Sequence, residues 1–116
     1  MELKGKVRDG LGNASFWVKK IEDVFFNKYG IKLFHGTLNI ELEEEYELQN
    51  YWIINPEEYG GTQKVYVEKC KLLGHRSYIV RAQNSVHKSN ILEIVSNVNF
   101  RKKYNLKNGE VVKVKL

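Results

Sequence analysis

The run Phe34-His35-Gly36-Thr37-Leu38-Asn39-Ile40-Glu41-Leu42 is the stretch from which the fold of this chain is read. Leu38, Ile40 and Leu42 alternate with Thr37, Asn39 and Glu41, the period of two of a half-buried strand whose successive side chains leave opposite faces. Thr37 and Asn39 therefore share the face turned away from the core. A hydroxyl and an amide carbonyl two positions apart suit Mg²⁺, a hard cation that keeps several waters and takes its other ligands from a few protein oxygens and phosphates. Gly36, lacking a Cβ, lets a phosphate approach the backbone. The same pattern also describes a strand that merely presents polar groups to water, so spacing alone leaves both readings open.

Working outward, 116 residues with 42% apolar content fit one domain, residues 1–116, with a single modest core. One cysteine, Cys70, excludes an intramolecular disulfide framework and any cysteine-based zinc cluster. The first residues begin a structured pattern at once, with no apolar leader, and no window approaches a membrane span. A soluble, cytoplasmic monomer without a membrane partner is expected. The net charge of +5 attracts polyanions in general without separating a nucleoside triphosphate from a nucleic acid.

Residues 3–8 read as a first strand, broken by Asp9-Gly10. Gly10-Leu11-Gly12-Asn13-Ala14-Ser15 follows; it is either an anion-binding concavity of backbone N–H groups or an ordinary hairpin or bulge. It is neither the three-glycine dinucleotide fingerprint nor a Walker loop. Phe16-Trp17-Val18 suits a second strand. Ile21, Val24, Phe25 and Lys28 recur at helical spacing, predicting a short helix that Gly30 ends. Residues 46–63 read as a strand followed by a loop, with Asn55-Pro56 and Gly60-Gly61 as breakers. Residues 65–73 and 77–80 form a hairpin about Gly74-His75. Glu93 sits inside the apolar run 91–95, on a solvated edge or facing a polar cavity. Asn99 is placed to cap a short helix, 100–104, whose first N–H groups and Arg101 suit an anion, and residues 110–116 make a last strand.

Taken together, Gly36-Thr37-Leu38-Asn39, the turn at residues 10–14, Leu92-Glu93-Ile94-Val95, Asn99-Phe100-Arg101 and Leu106-Lys107-Asn108-Gly109-Glu110 resemble the archaeal CTP-dependent riboflavin kinases. The likeness covers nearly the whole sequence except about residues 46–78. It implies a mainly β fold, a six-stranded cradle-loop barrel with one or two short helices, and transfer of the γ-phosphate of CTP to the 5′-hydroxyl of riboflavin, giving FMN and CDP. It also implies Mg²⁺ on Thr37 and Asn39. The nucleotide would lie on Gly10, Leu11, Gly12, Asn13, Ala14, Ser15, Val98, Asn99, Phe100 and Arg101, and the flavin at Ser85 and Glu93, with Glu93, Thr37 and Asn39 serving catalysis. This chain has Asn13-Ala14 where the family commonly has Glu-Gly, Phe34-His35 where it usually has Pro with another residue, Ser85 for Thr, and Ser96-Asn97 for Ala-Pro. His87 matches a family position, and the middle segment is shorter. Two rivals stand beside this reading: a related kinase with another small alcohol acceptor, and a small basic barrel that binds nucleic acid.

Overall fold

Alternate apolar residues on six strands point the same way, and in the computed structural model, which describes residues 1–85 and 89–116, those strands close on themselves. In chain order the elements are β1 (Glu2–Arg8), α1 (Ala14–Tyr29), β2 (Leu38–Leu42), β3 (Tyr51–Ile54), α2 (Pro56–Tyr59), β4 (Val65–Leu72), β5 (His75–Ala82), β6 (Ile91–Ser96), α3 (Phe100–Tyr104) and β7 (Val111–Lys115). The strands β4, β5, β6, β2, β1 and β7 pair antiparallel in that order. β7 then returns to β4 through Lys71↔Lys115 and Leu72↔Val114, which closes a six-stranded barrel and removes its open edges. β3 attaches to the other half of β4, from Tyr51↔Glu68 to Ile54↔Val65. No helix among the described residues is long and apolar enough to cross a membrane.

Two apolar clusters follow from the strand alternation. Inside the barrel Val7, Ile40, Leu72, Ile79, Leu92, Ile94 and Val114 interlock, with Phe100 of α3 added to them. The opposite face of β4, β5 and β6 carries Val67, Tyr78, Val80 and Val95, and α1 lays Val18, Ile21 and Phe25 on it. Those three helix positions are fully buried and lie on one stripe at i, i+3 and i+7, each worth about 1.5–3 kcal/mol of apolar transfer. Phe25 meets Tyr78 edge-on with ring centroids 5.0 Å apart.

This packing corrects the expected second strand. Phe16-Trp17-Val18 is helical, because α1 starts at Ala14 and runs for 16 residues, not as a short helix from about Ile21. Val18 completes the buried stripe, and burial of one helix face outweighs the β preference of an aromatic triplet. Gly30 ends the helix as expected, left-handed at φ 68° with its N–H on the Phe26 carbonyl. There are three helices among the described residues, not one or two. The extra one, α2, is a single turn with Pro56 at its start and a reciprocal box in which the Asn55 N–H donates to Glu58 Oε2 at 2.6 Å. The β4–β5 hairpin forms with its turn at Leu73-Gly74, φ 50° and 78°, one residue before the expected pair and in the mirror-image geometry that hairpins favour.

A buried carboxylate fastens the segment after β2 to the barrel. Glu68, 4% exposed, accepts from Tyr46 Oη at 2.7 Å and from the Asn50 N–H at 3.1 Å. Arg81 donates to the carbonyls of Tyr46 at 2.7 Å and Ser89 at 3.1 Å.

Candidate active site

Two cavities meet along the β2–β6 ladder. The first, about 360 Å³, lies between the turn after β1, residues 34–39 and the segment that starts α3. The second, about 310 Å³, lies under the start of α1, over a floor of Val65, Val80 and Ala82, and reaches Ser85 and Glu93. Asn39 lines the first and Glu93 the second. These two residues are direct register partners, and Glu93 is in turn the partner of Val80. Side chains directly opposite on neighbouring antiparallel strands share a face with Cβ atoms about 4.5–5.5 Å apart, so one rung joins the two cavities.

Thr37 stands just before β2, and Asn39 is its second residue. Asn39 Nδ2 is 3.5 Å from Thr37 Oγ1, which puts the two side chains on one face as their spacing requires. Asn39 is 5% exposed, and its buried Oδ1 has no hydrogen-bond partner among the described residues. Gly10 closes over the same amide: a Cβ there would overlap Asn39 Nδ2.

In the turn itself, Gly10, Gly12, Ala14 and Ser15 line the first cavity, whereas Leu11 and Asn13 line the second. Gly12 adopts φ +85°, a conformation that a side chain resists. Across the first cavity stand Val98, Asn99, Phe100 and Arg101. Asn99 caps α3 as expected and accepts the Lys102 N–H at 3.2 Å, so that N–H is already engaged. The Phe100 ring belongs to the barrel core. Arg101 is anchored by hydrogen bonds to the Arg8 carbonyl at 2.9 Å and Asn108 Oδ1 at 2.8 Å, with Asp9 3.5 Å away, and its cationic head stays at the cavity wall. His35 reaches Glu22 of α1 at 2.5 Å, which ties the segment before Thr37 to the helix. His87 lies outside the described residues.

Glu93 is mostly buried on the apolar floor, and that burial pushes its carboxyl up to about 7, with Arg81 pulling the other way. A carboxylate shifted into the neutral range beside a cavity is typical of functional positions.

The family model CTP-dep_RFKase, described as "Domain of unknown function DUF120", matches residues 7–116. The chain belongs to the CTP-dependent riboflavin kinase family. It is 35% identical over 118 residues to a riboflavin kinase of Staphylothermus marinus, covering 98% of this chain and 90% of that protein. It is 30% identical to a riboflavin kinase of Methanococcus maripaludis over 98% of both chains, and 31% identical to one of Picrophilus torridus, of which it spans 56%. The alignments run through the middle segment where the motifs alone show no likeness. Family membership makes the chain a phosphotransferase with an alcohol acceptor.

For this kinase fold, the fit of a metal is decided by the donor set. Among the described residues no group of three or more His, Cys, Asp or Glu side chains is placed to hold one. The Thr37 hydroxyl and the unpartnered Asn39 carbonyl oxygen fit a hard cation that brings its own waters and shares phosphate oxygens. The second cavity adds residues that the sequence reading did not single out, chiefly Trp17, Tyr59 and Gln63. Trp17 was hidden by the strand reading; its phase relative to Val18, Ile21 and Phe25 was the available signal. Tyr59 precedes a visible Gly60-Gly61 turn, but which cavity that turn faces is a tertiary fact.

Proposed function

We propose that the chain transfers the γ-phosphate of CTP to the 5′-hydroxyl of riboflavin, giving FMN and CDP. The observation that carries this reading is the Asn39↔Glu93 rung, which sets a glycine-lined cavity with two neutral oxygen donors beside a cavity with an apolar floor, a polar rim and one carboxylate. The triphosphate fits the first, against the backbone of Gly10 and Gly12 and the Arg101 guanidinium. Thr37 and Asn39 would hold Mg²⁺, which when bound would neutralise phosphate charge. The acceptor fits the second, with its hydroxyl at Glu93. The hydroxyl oxygen forms a bond to the γ-phosphorus as the bond to the bridging oxygen breaks, and that electron pair leaves with CDP. The acceptor's proton passes towards the Glu93 carboxylate, which first holds the hydroxyl in line. Phosphoryl transfer asks mainly for positioning and charge neutralisation, and this site offers both without a strong base. The nucleotide choice rests on the family to which the chain belongs, since backbone groups leave no motif for a cytosine.

A kinase assay with riboflavin and each of CTP, ATP, GTP and UTP tests the proposal. FMN should form fastest with CTP. Faster FMN formation with ATP overturns the nucleotide assignment, and no FMN with any donor overturns the acceptor.

A further inference from the structure

We infer that His35 and Glu22 are a positioning pair for Thr37, a side-chain clamp between two walls of the first cavity that holds the Thr37 hydroxyl where a metal-bound triphosphate meets it. This rests on the reading of Thr37 and Asn39 as the metal site. The backbone leaves a gap there. The Phe34 N–H donates to the Ser96 carbonyl at 2.8 Å, and Leu38 enters the β2–β6 ladder opposite Ile94. Between these two anchors, no backbone hydrogen bond from residues 35–37 reaches another element among the described residues; the Gly36 N–H turns back on the Phe34 carbonyl at 3.0 Å. Gly36 is also the residue type least restrained in φ and ψ. Asn39 Nδ2, 3.5 Å from Thr37 Oγ1, is at the limit of a hydrogen bond, so backbone and neighbour together hold Thr37 loosely.

The side chain of His35 supplies the missing anchor. Its Nε2 lies 2.5 Å from Glu22 Oε2, donating to a group that as a carboxylate only accepts. Glu22 is fixed in turn, because it stands on α1 between Ile21 and Phe25, both fully buried against the barrel. Ser15 precedes Glu22 by seven residues, about two turns, so the two share a flank of the helix. Ser15 and His35 both line the first cavity, one on the start of α1 and one on the segment before β2, and the clamp therefore sets the distance between those two walls. The His35 and Glu22 side chains are 37% and 32% exposed. An ion pair that reaches water adds little to global stability, so its contribution falls on local geometry. Groups that orient a metal ligand without touching the metal are worth about 10–100-fold in metal affinity or activity.

Calorimetric titration of CTP in Mg²⁺ and in EDTA isolates the clamp, because only the Mg²⁺-dependent gain in affinity passes through Thr37. In His35→Phe, which keeps a ring and loses Nε2, and in Glu22→Leu, that gain should fall about tenfold. CTP affinity in EDTA and the melting temperature should stay nearly unchanged. The double variant should lose no more than either single one, as expected for two ends of one contact. His35→Gln, which carries an N–H donor of similar reach, should keep the gain within about threefold of the parent chain. Turnover should fall in the same order while the KM for riboflavin holds. A gain as large in His35→Phe and Glu22→Leu as in the parent chain overturns the clamp, as does an equal loss of CTP affinity in Mg²⁺ and in EDTA, which would make the pair a prop for the fold. A parent chain whose CTP affinity ignores Mg²⁺ overturns the clamp together with the metal assignment, and FMN formation then shows that the kinase reading stands without them. A gain that depends on His35 and Glu22, without FMN formation from any nucleotide, instead sustains the clamp and removes the kinase reading.

Discussion

Asn39 buries an amide whose Oδ1 finds no donor among the described residues, and a buried polar atom left unpaired costs about 1–3 kcal/mol. Leu38 and Ile40 already fill the interior, and the oxygen is the atom that the proposed function gives to a metal. Thr37 tests that role without altering Asn39 Oδ1, the hydroxyl it loses lying 3.5 Å from Asn39 Nδ2. Thr37→Val keeps the β-branched shape and removes the hydroxyl. Turnover should fall at least about 100-fold, comparable to losing one preorganised electrostatic contact, with the melting temperature nearly unchanged; normal turnover in the folded variant would remove the metal assignment. Glu93 makes the second test through pH. Its carboxyl moves from 4.5 to about 7 on folding, so the folded state holds the proton more tightly than the unfolded chain. Below pH 4.5 both states are protonated and nothing is lost; stability falls as pH rises from 4.5 through 7, by roughly 3 kcal/mol at full ionisation. Glu93→Gln should flatten that fall in urea titrations between pH 4.5 and 8 while lowering turnover with little change in CTP affinity. A pH dependence identical to that of the parent chain would place the titration elsewhere.

At the scale of elements, the turn between β1 and α1 faces both cavities in alternation, Gly10 and Gly12 one way, Leu11 and Asn13 the other. Gly12→Val places a branched side chain at φ +85°, where L residues are strained, in the turn that the proposed function sets against the phosphates. CTP affinity should drop by an order of magnitude or more, with riboflavin affinity nearly retained; equal loss of both in calorimetric titrations would mean the turn has simply unfolded. How legible these elements were in sequence follows from their physics. The strand carrying Asn39 and the Asn99 cap are set by local periodicity and turn chemistry and stand where the sequence puts them, and the β4–β5 hairpin forms with its turn one residue earlier than expected. The first turns of α1 were not legible, because Phe16-Trp17-Val18 has strand-like composition and only the barrel face that Val18 meets makes it helical. For the same reason the sequence pointed to Thr37, Asn39 and Glu93 but not to Trp17 or Tyr59: motif residues announce their chemistry, whereas cavity walls acquire theirs from what tertiary packing sets opposite them.

For the molecule as a whole, the barrel is closed by its shortest seam. β4 gives its first half to β3 and only Lys71 and Leu72 to β7, and the Lys71↔Lys115 pair sets like charges opposite each other, which is unfavourable. The seam is therefore held from inside by Leu72 and Val114, both 0% exposed. Leu72→Ala should cost about 2–5 kcal/mol through lost transfer energy and a residual cavity, which in a domain of this size lowers the melting temperature by roughly 10 °C or more. Neither β7 nor the end of β4 lines either cavity, so Leu72→Ala should keep its CTP and riboflavin affinities when measured well below its melting point. Calorimetric melting beside ligand titration separates the two effects. A Leu72→Ala chain that melts early yet binds normally assigns the seam to stability alone, whereas affinities that fall together with the melting temperature would mean that barrel closure itself holds Asn39 and Glu93 in register.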